Sequence, residues 1–389
     1  MTAFGDELRC FLAKRGMTLG ELARRSSFDK GYLSKVVNGH KPGSSYLAAR
    51  LDEVLDADGT LIALAAPIPS AVLDTDERER LAWARRNPRL IDETTINSLA
   101  RVLAAQRRAE DTLGAAAILP SVLAQLALVE ELVTEARGPA RCPLVDVAGQ
   151  WAQFAGWLHA SARHDEAAAC MHDRALEWAV EAGDINLISQ VISMKGHLAW
   201  MAGHPGPVIG LSQAAQRDPG AFPGQHAISA VQEARGHAMT GDADKAERKL
   251  ADAMTKAQEA TGHQGEAPPW LYYHSPAFFE VQRGIVFGYF ADVPRYHDLA
   301  LTALEAGYAE MSPEEQRSEW GAGYLVHAAA VHERGGNVEQ ATAIALDVAR
   351  IVRQTNAARL RALLIPVHTR LAARWPHEPR VTELADVLR

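Results

Sequence analysis

Near the start of the chain, the residues best suited to binding chemistry lie in the stretch DKGYLSKVVNGHKP, residues 29–42. It holds three lysines and a histidine, although the whole chain has a formal net charge of −8. Lysine ammonium groups pair with phosphate oxygens and can donate to guanine O6 and N7, and a serine hydroxyl can bond to several bases. The same residues also suit an ordinary amphipathic helix with one solvated face. The stretch therefore allows two interpretations, a surface that binds something acidic and a plain exposed helix.

A second set of polar and aromatic side chains recurs in the middle of the chain. If the helices of this region stack in register, one concave face presents Gln150, Gln153, Trp157, Gln190, Ser193, His197, Trp200, Ile228, Val231 and Arg235. Repeated amides, flat rings and an arginine along one groove suit hydrogen bonding to a peptide backbone or to an acidic ligand. In the alternative interpretation the tryptophans belong to the core and the polar groups are merely solvated.

Other chemistry-bearing residues do not form a recognisable site. The histidines and the cysteine of HASARHDEAAACMH, residues 159–172, lack the spacing of a structural zinc site. The sequence contains no glycine-rich phosphate loop, no GxSxG nucleophile motif and no zincin pair. We therefore expect no metal, no cofactor and no catalytic residues, so the protein should not be an enzyme. The aromatic loop WLYYHSP, residues 270–276, suits either a lid over the groove or a wedge between repeats.

Composition limits the class of protein. The 389 residues are 48% hydrophobic and 23% charged, which is typical of a globular chain long enough for two domains or for one domain and a repeat array. The start, MTAFGDELRC, lacks the basic and apolar parts of a signal peptide, and we recognise no uncharged apolar run of membrane-spanning length. Three scattered cysteines argue against a disulfide framework. These features predict a cytoplasmic protein without a membrane partner.

Charge is unevenly distributed along the chain. Of its 40 basic and 48 acidic residues, nine and eight fall in residues 1–65, which gives that segment a net charge of +1. The remaining 31 basic and 40 acidic residues give the rest a net charge of −9. A slightly basic head on an acidic body fits a small anion-binding module attached to a different domain.

Residues 1–65 have the pattern of several short helices. Apolar residues recur at helical spacing between Phe4 and Leu64, with breaks that divide the segment into four or five helices. Thr18 and Glu21 have the spacing of a capping box, and Asp29 suits the N-cap of the helix that follows. Because the connection between these two helices is only three or four residues long, the pattern predicts a helix-turn-helix.

The stretch TLGELARRSSFDKGYLSKVVNGHKP resembles the helix-turn-helix of the Cro/repressor-type (Xre) transcription regulators. The features shared with that family are Leu22-Ala23, Ser34, Asn38-Gly39 and Pro42. The resemblance implies that the second helix enters the major groove of an operator in double-stranded DNA. It assigns base reading to Lys30, Gly31, Tyr32, Ser34 and Lys35, and backbone contacts to Thr18, Asn38, His40 and Lys41. One departure is Asp29, which phosphate repels unless its carboxylate caps its own helix.

Beyond a proline-containing linker at residues 66–76, residues 77–389 are almost wholly helical in pattern. A helical pair is predicted over residues 92–137. Three later passages share a layout with small residues at Gly156, Gly196 and Ala234, and weaker copies follow around Gly284 and Ala329. Small residues let paired helices approach closely. This layout resembles tetratricopeptide repeats, with a generic helical bundle as the alternative.

Together these features predict an all-α fold, with a helix-turn-helix domain followed by an α-solenoid of tetratricopeptide-like hairpins. The combined resemblance implies a homodimeric transcription regulator whose repeats sense a peptide or a small-molecule ligand. A different class of function, a protein-interaction scaffold that its head localises on DNA, remains the alternative.

Overall fold

The computed structural model describes residues 3–26, 28–38, 45–57, 60–61, 73–355 and 357–388. Within those ranges the regular structure is helical and no strand occurs, which confirms the all-α expectation. Contacts between residues divide the chain into two compact units. Residues 1–106 and 118–144 form the first unit, and residues 107–117 and 145–389 form the second.

The first helices are short and share one core. Their bounds are α1 Ala3–Lys14, α2 Leu19–Ser26, α3 Lys30–Val37 and α4 Ser45–Leu55. Buried leucines and valines from all four helices form the core, with Leu8, Leu22, Leu33 and Leu51 fully buried. Because each helix contributes apolar residues at helical spacing, four short elements that are marginal alone bury a common apolar surface.

Side-chain caps fix the ends of α2 and α3. Thr18 Oγ1 accepts a hydrogen bond from the backbone N–H of Glu21 at 3.2 Å, while the carboxylate of Glu21 accepts from Arg25 at 2.8 Å. Asp29 Oδ1 accepts from the backbone N–H of Tyr32 at 2.8 Å, which confirms its predicted role as the N-cap of α3. Of the two hydrogen bonds in the predicted capping box, the one accepted by Thr18 is therefore formed. The side chain of Glu21 forms an ion pair with Arg25 along the helix.

Three helices follow in the chain. Their bounds are α5 Thr75–Arg86, α6 Glu93–Leu113 and α7 Ala115–Glu135. Asp74 and Glu77 form a complete capping box at the start of α5. The predicted linker at residues 66–76 lies largely outside the described residues. The helical pair predicted over residues 92–137 is present as α6 and α7.

The remaining helices are α8 Arg141–Ser161, α9 Asp165–Ala182, α10 Ile185–Met201, α11 Pro205–Ala215, α12 Pro223–Met239, α13 Ala243–Thr261, α14 Pro276–Gly288, α15 Pro294–Glu310, α16 Pro313–Arg317, α17 Glu319–Arg334, α18 Val338–Thr355, α19 Ala358–Arg374 and α20 Pro379–Leu388. They pack as successive pairs, with α10 on α11, α12 on α13, α14 on α15 and α17 on α18. This arrangement is consistent with an all-α solenoid.

Glycines mark the closest approaches between paired helices. A Cβ atom at Gly156 of α8 would lie 2.5 Å from the imidazole ring of His172 in α9. At Gly284 of α14 it would lie 2.6 Å from Leu304 Cγ and 3.0 Å from the backbone oxygen of Ala300, both in α15. Gly156 and Gly284, two of the small residues noted in the sequence, therefore lie where neighbouring helices leave no room for a side chain.

By length and composition alone, α7 is able to cross a membrane, with a mean hydropathy of 1.7 over its most apolar window. This helix was not recognised in the sequence as an apolar segment of spanning length. The core helix of a soluble protein passes the same test, and 44% of that window is buried within the protein. One such helix is weak support for a membrane segment.

We predict that Gly284→Ala lowers the free energy of unfolding by about 1–3 kcal/mol, because the new methyl group would overlap backbone atoms of α15. The matched control is Gly210→Ala on α11, where an added Cβ atom would have no neighbouring atom within 4 Å. There the better helix propensity of alanine should raise the free energy of unfolding by about 0.5–1 kcal/mol. Urea unfolding of both variants measures the difference, and a neutral effect of Gly284→Ala would show that α14 and α15 are not in close contact at this point.

Candidate functional site

One cavity in the second unit collects most of the predicted groove residues. Its volume is about 180 Å³. The predicted residues that line it are Gln153, Trp157, Gln190, Ser193, His197, Trp200, Ile228 and Arg235. Gln150 and Val231 lie outside this lining. The Gln150 amide donates to Asp146 at 3.1 Å, and Val231 packs in the apolar core of α12.

Aromatic rings form a continuous wall in this cavity. The ring of His197 lies 5.9 Å from that of Trp157 and 5.1 Å from that of Trp200, and Trp200 stacks on His327 at 6.2 Å. The indole N–H of Trp200 donates to the hydroxyl of Tyr289 at 2.7 Å, which fixes the orientation of the ring. Such a wall offers flat apolar surface to a ligand, and the indole N–H of Trp200 is already bonded within the protein.

The guanidinium group of Arg235 is buried beside this wall. It lies 4.8 Å from the ring centroid of Trp200, and its Nη atoms donate to the side-chain oxygens of Gln232 and Gln282. Its Nε atom is buried without a hydrogen-bond partner. Burial lowers the pKa of Arg235. Arginine still keeps its proton at neutral pH, so a buried positive charge faces neutral amides and rings.

Arg107, in the last part of α6, is a second buried cation in the lining. Its guanidinium lies 5.9 Å from the ring of Phe154 and 6.0 Å from that of Trp270. It donates one long hydrogen bond, of 3.5 Å, to the backbone oxygen of Gln150. Burial lowers the pKa of Arg107 to about 10, which leaves it protonated at neutral pH. Among the described residues, no carboxylate lies within 4.0 Å of the guanidinium nitrogens of Arg107 or Arg235.

The lining also contains two acids, which have local partners. Asp111 accepts a hydrogen bond from the hydroxyl of Tyr272 at 2.9 Å, and Glu110 accepts from the side chain of Trp157. Burial raises the pKa of Glu110 to about 7, with Asp111 adding to the shift and the positive charge of Arg359 opposing it. Arg359 lies 5.3 Å from the ring centroid of Trp157. Glu110 and Arg359 therefore partly neutralise each other at this side of the cavity.

The two histidines of the wall are neutral. Burial lowers the pKa values of His197 and His327 to about 3, and the positive charges of Arg235 and Arg359 contribute to that lowering. His197 Nε2 is buried without a hydrogen-bond partner. Neutral imidazoles next to Arg235 add polarity without adding a second charge.

Sequence reasoning missed part of the lining. Phe154, Met194 and Gln232 lie within the aligned repeats. Other missed residues come from elements outside them, and these include Arg107, Glu110 and Asp111 of α6; Trp270, Tyr272 and Tyr273 of the aromatic loop; Gln282 of α14; Tyr324 and His327 of α17; and Arg359 of α19. The weaker repeat copies around Gly284 and Ala329 were a signal for the α14 and α17 residues, since they lie in corresponding first helices. The aromatic loop, for which a lid and a wedge were both open, contributes to the cavity wall.

The residues assigned to DNA reading lie on α3 and at its ends. The side chains of Lys30 and Lys35 are exposed, as is Gly31, while Tyr32 and Ser34 are half-buried. Tyr32 stacks on Phe28 at 6.1 Å. The side chain of Asn38 donates to the backbone oxygen of Ser34 at 2.9 Å and so helps to end α3. Thr18 is exposed and caps α2, whereas His40 and Lys41 lie outside the described residues.

Comparisons with protein-family models and with curated proteins found no match for this chain.

We predict that Glu110→Gln reduces the pH dependence of stability. Because the pKa of Glu110 is raised from 4.5 to about 7, the folded protein retains a proton that the unfolded chain releases between those pH values. Stability from this group is present below pH 4.5 and declines as the pH rises towards 7, by about 1–3 kcal/mol. The glutamine variant should lack that decline in urea unfolding measured from pH 4.5 to 8. The control is Glu259→Gln, an exposed position on α13, and equal slopes in all three proteins would contradict the assignment.

Proposed function

We propose that this protein is a sequence-specific DNA-binding transcription regulator whose second unit binds a small acidic ligand in the cavity around Arg235. One observation supports the ligand-binding part of this proposal. Most of the groove residues predicted from the repeats line a single cavity, and that cavity contains a buried arginine, Arg235, with no carboxylate partner among the described residues. The DNA-binding half rests on the resemblance of residues 18–42 to the Cro/repressor-type helix-turn-helix.

The geometry of the first helices supports the DNA-binding half. α2 ends at Ser26 and α3 begins at Lys30, which matches the short connection of a helix-turn-helix. Lys30 and Lys35 are exposed, and among the described residues neither ammonium lies within salt-bridge distance of a carboxylate. Both charges are therefore available to DNA. The carboxylate of Asp29 is engaged by the backbone of α3, which reduces the repulsion that phosphate would otherwise meet there.

The cavity supports a small molecule over a bound peptide. A cavity of about 150 Å³ accommodates benzene in a small protein, so 180 Å³ suits a compact ligand with a single ring. A protein-interaction scaffold of tetratricopeptide type would instead use an open groove lined by amides and apolar pockets. Burial of Arg107 and Arg235 places the positive charge inside the fold, where a protein partner has less access than a small anion.

The backbone of α6 connects the ligand cavity to the first unit. The chain passes from the first unit to the second within α6, whose last turns carry Arg107, Glu110 and Asp111. A ligand that binds better to one arrangement of these side chains shifts the population of that arrangement. Such a population shift is compatible with either repression or activation of transcription.

We predict that alanine at Lys30, Ser34 or Lys35 weakens binding to the cognate DNA sequence by about 1–3 kcal/mol each, because each loses a base-edge contact. The sequence is first obtained by selecting tight binders from a random pool of double-stranded DNA with the purified protein. Affinities of the single variants and the triple variant are then measured by fluorescence anisotropy. Lys14→Ala, which removes an exposed lysine of α1, is the matched control. Failure of the wild type to enrich any sequence would reject the DNA-binding function.

We also predict a homodimer. One short recognition helix reads few base pairs, and regulators of this type bind paired half-sites through a two-fold axis. Sedimentation velocity at micromolar concentration should give twice the chain mass of 42.2 kDa. A single species of chain mass, both free and on the selected DNA, would exclude paired recognition.

A further inference from the structure

We infer that the ligand of this cavity is a planar aromatic dicarboxylate, with one acidic group held by Arg235 and the other by Arg107. This inference rests on the proposed ligand site and adds the charge and the shape of what fills it. Three features carry it, namely the open donors of Arg235, the isolation of Arg107 and the contrast of both with Arg359.

Arg235 has donors left for an anion. A guanidinium has five N–H donors in a planar fork, and the hydrogen bonds to Gln232 and Gln282 use two of them. The buried Nε–H is without a partner. A carboxylate accepts two parallel N–H bonds from one edge of such a fork. The two glutamines hold the fork in place, so the remaining donors form a preorganised carboxylate site.

Arg107 is a second site of the same kind. Its neighbours in the cavity are rings, and its one hydrogen bond, to the backbone oxygen of Gln150, is long. Removing an ion from water carries a large free-energy cost unless a counter-charge and hydrogen bonds replace the water. A singly charged ligand leaves one of the two guanidiniums without a counter-charge, and a neutral ligand leaves both. Two negative groups compensate both.

Arg359 provides an internal comparison. It lies on the same cavity wall, but the charge of Glu110 acts on it, and Glu110 is in turn hydrogen-bonded by Trp157. The protein itself therefore supplies part of a counter-charge to Arg359, from the fraction of Glu110 that is ionised. Of the three lining arginines, the two that lack this provision are the ones that a ligand has to neutralise.

The walls specify the body of the ligand. Trp157, His197 and Trp200 form a row of rings with centroid separations of 5.9 Å and 5.1 Å, and Trp270 lies beside Arg107 on another element. Flat unsaturated rings pack against such surfaces with larger contact and better quadrupole complementarity than branched aliphatic chains. The cavity volume admits one ring with small substituents. A benzene ring with two carboxylates has the required charge and shape.

Isothermal titration calorimetry with four probes tests the inference. The probes are benzoate and the three benzenedicarboxylates, phthalate, isophthalate and terephthalate, which differ in the separation of their charges. For the wild type, at least one dicarboxylate should bind tenfold or more tightly than benzoate. Arg107→Met should reduce that preference to less than about twofold while benzoate affinity changes little. Arg235→Met should weaken both kinds of probe at least tenfold.

The matched control is Arg108→Met, an identical substitution at the neighbouring, exposed position of α6, which should keep the wild-type preference. Circular dichroism and the unfolding midpoint establish that each variant is folded. If Arg107→Met does not fold, Arg107→Lys keeps the charge but loses the fork and should retain part of the preference.

Equal affinities for benzoate and all three dicarboxylates would overturn the inference that the ligand carries a second acidic group bound by Arg107. If Arg235→Met still weakened binding in that case, the cavity would remain the ligand site. Absence of binding by all four probes to the wild type would overturn the aromatic dicarboxylate. The DNA-selection experiment does not use these probes, so it judges the regulatory function separately.

Discussion

The second unit depends on a single electrostatic constraint, which is that two guanidinium groups are buried without carboxylate partners. An unpaired buried ion is among the costliest features a fold can contain. Neither arginine can escape the penalty by losing its proton, since even a pKa of about 10 at Arg107 leaves the charge in place at neutral pH. The protein offsets part of the penalty with glutamine oxygens around Arg235 and with aromatic faces around both arginines. The positions of Gln232 and Gln282 in the lining are explained by this requirement.

Helix packing places those compensating groups. Lining residues come mainly from the first helices of successive pairs, α8, α10, α12, α14 and α17. In α12 nearly every residue is buried, including Gln225, Gln232, Glu233 and Arg235. A helix buried all round would ordinarily be apolar. Neighbouring helices supply partners to polar groups of α12, for example Gln213 and Gln216 to the carboxylate of Glu233. Arg235 Nε and Gln225 Nε2 remain without a hydrogen-bond partner.

Local rules and repeat register gave useful predictions from the sequence. Asp29 was identified as a cap because a short carboxylate before an apolar helical run has one strong local partner, the backbone N–H three residues on. The row from Gln153 to Arg235 followed from placing small residues at equivalent points of three hairpins. Gln150 was predicted to belong to this row but does not line the cavity. Its side-chain amide donates instead to Asp146, four residues earlier on the same helix. Helical periodicity predicts which face of a helix a residue lies on. It does not decide which residues at the edge of that face reach the cavity.

The rest of the cavity could not be predicted because its walls are formed by residues that lie far apart in the sequence. Tyr272 and Asp111 form a hydrogen bond although 161 residues separate them, and Trp200 bonds to Tyr289 across 89 residues. No local pattern links such pairs. Arg107 also falls before the repeats in the sequence, where an arginine in a long helix is expected to be a solvated side chain. Only the folded chain reveals that it is buried.

The sign of the cavity's charge is insensitive to the titration of its own groups. With Glu110 and Asp111 both ionised, three arginines still exceed two acids. Burial raises the pKa values of both acids, so protonation can only increase the excess of positive charge. The wall histidines, with pKa values of about 3, contribute no charge at neutral pH. Since salt screens buried charges much less than exposed ones, this excess acts on an anion at ordinary ionic strength. If the cavity binds an anion as proposed, its charge favours anions before its shape acts, and the aromatic walls then favour flat anions over other small anions of the same charge.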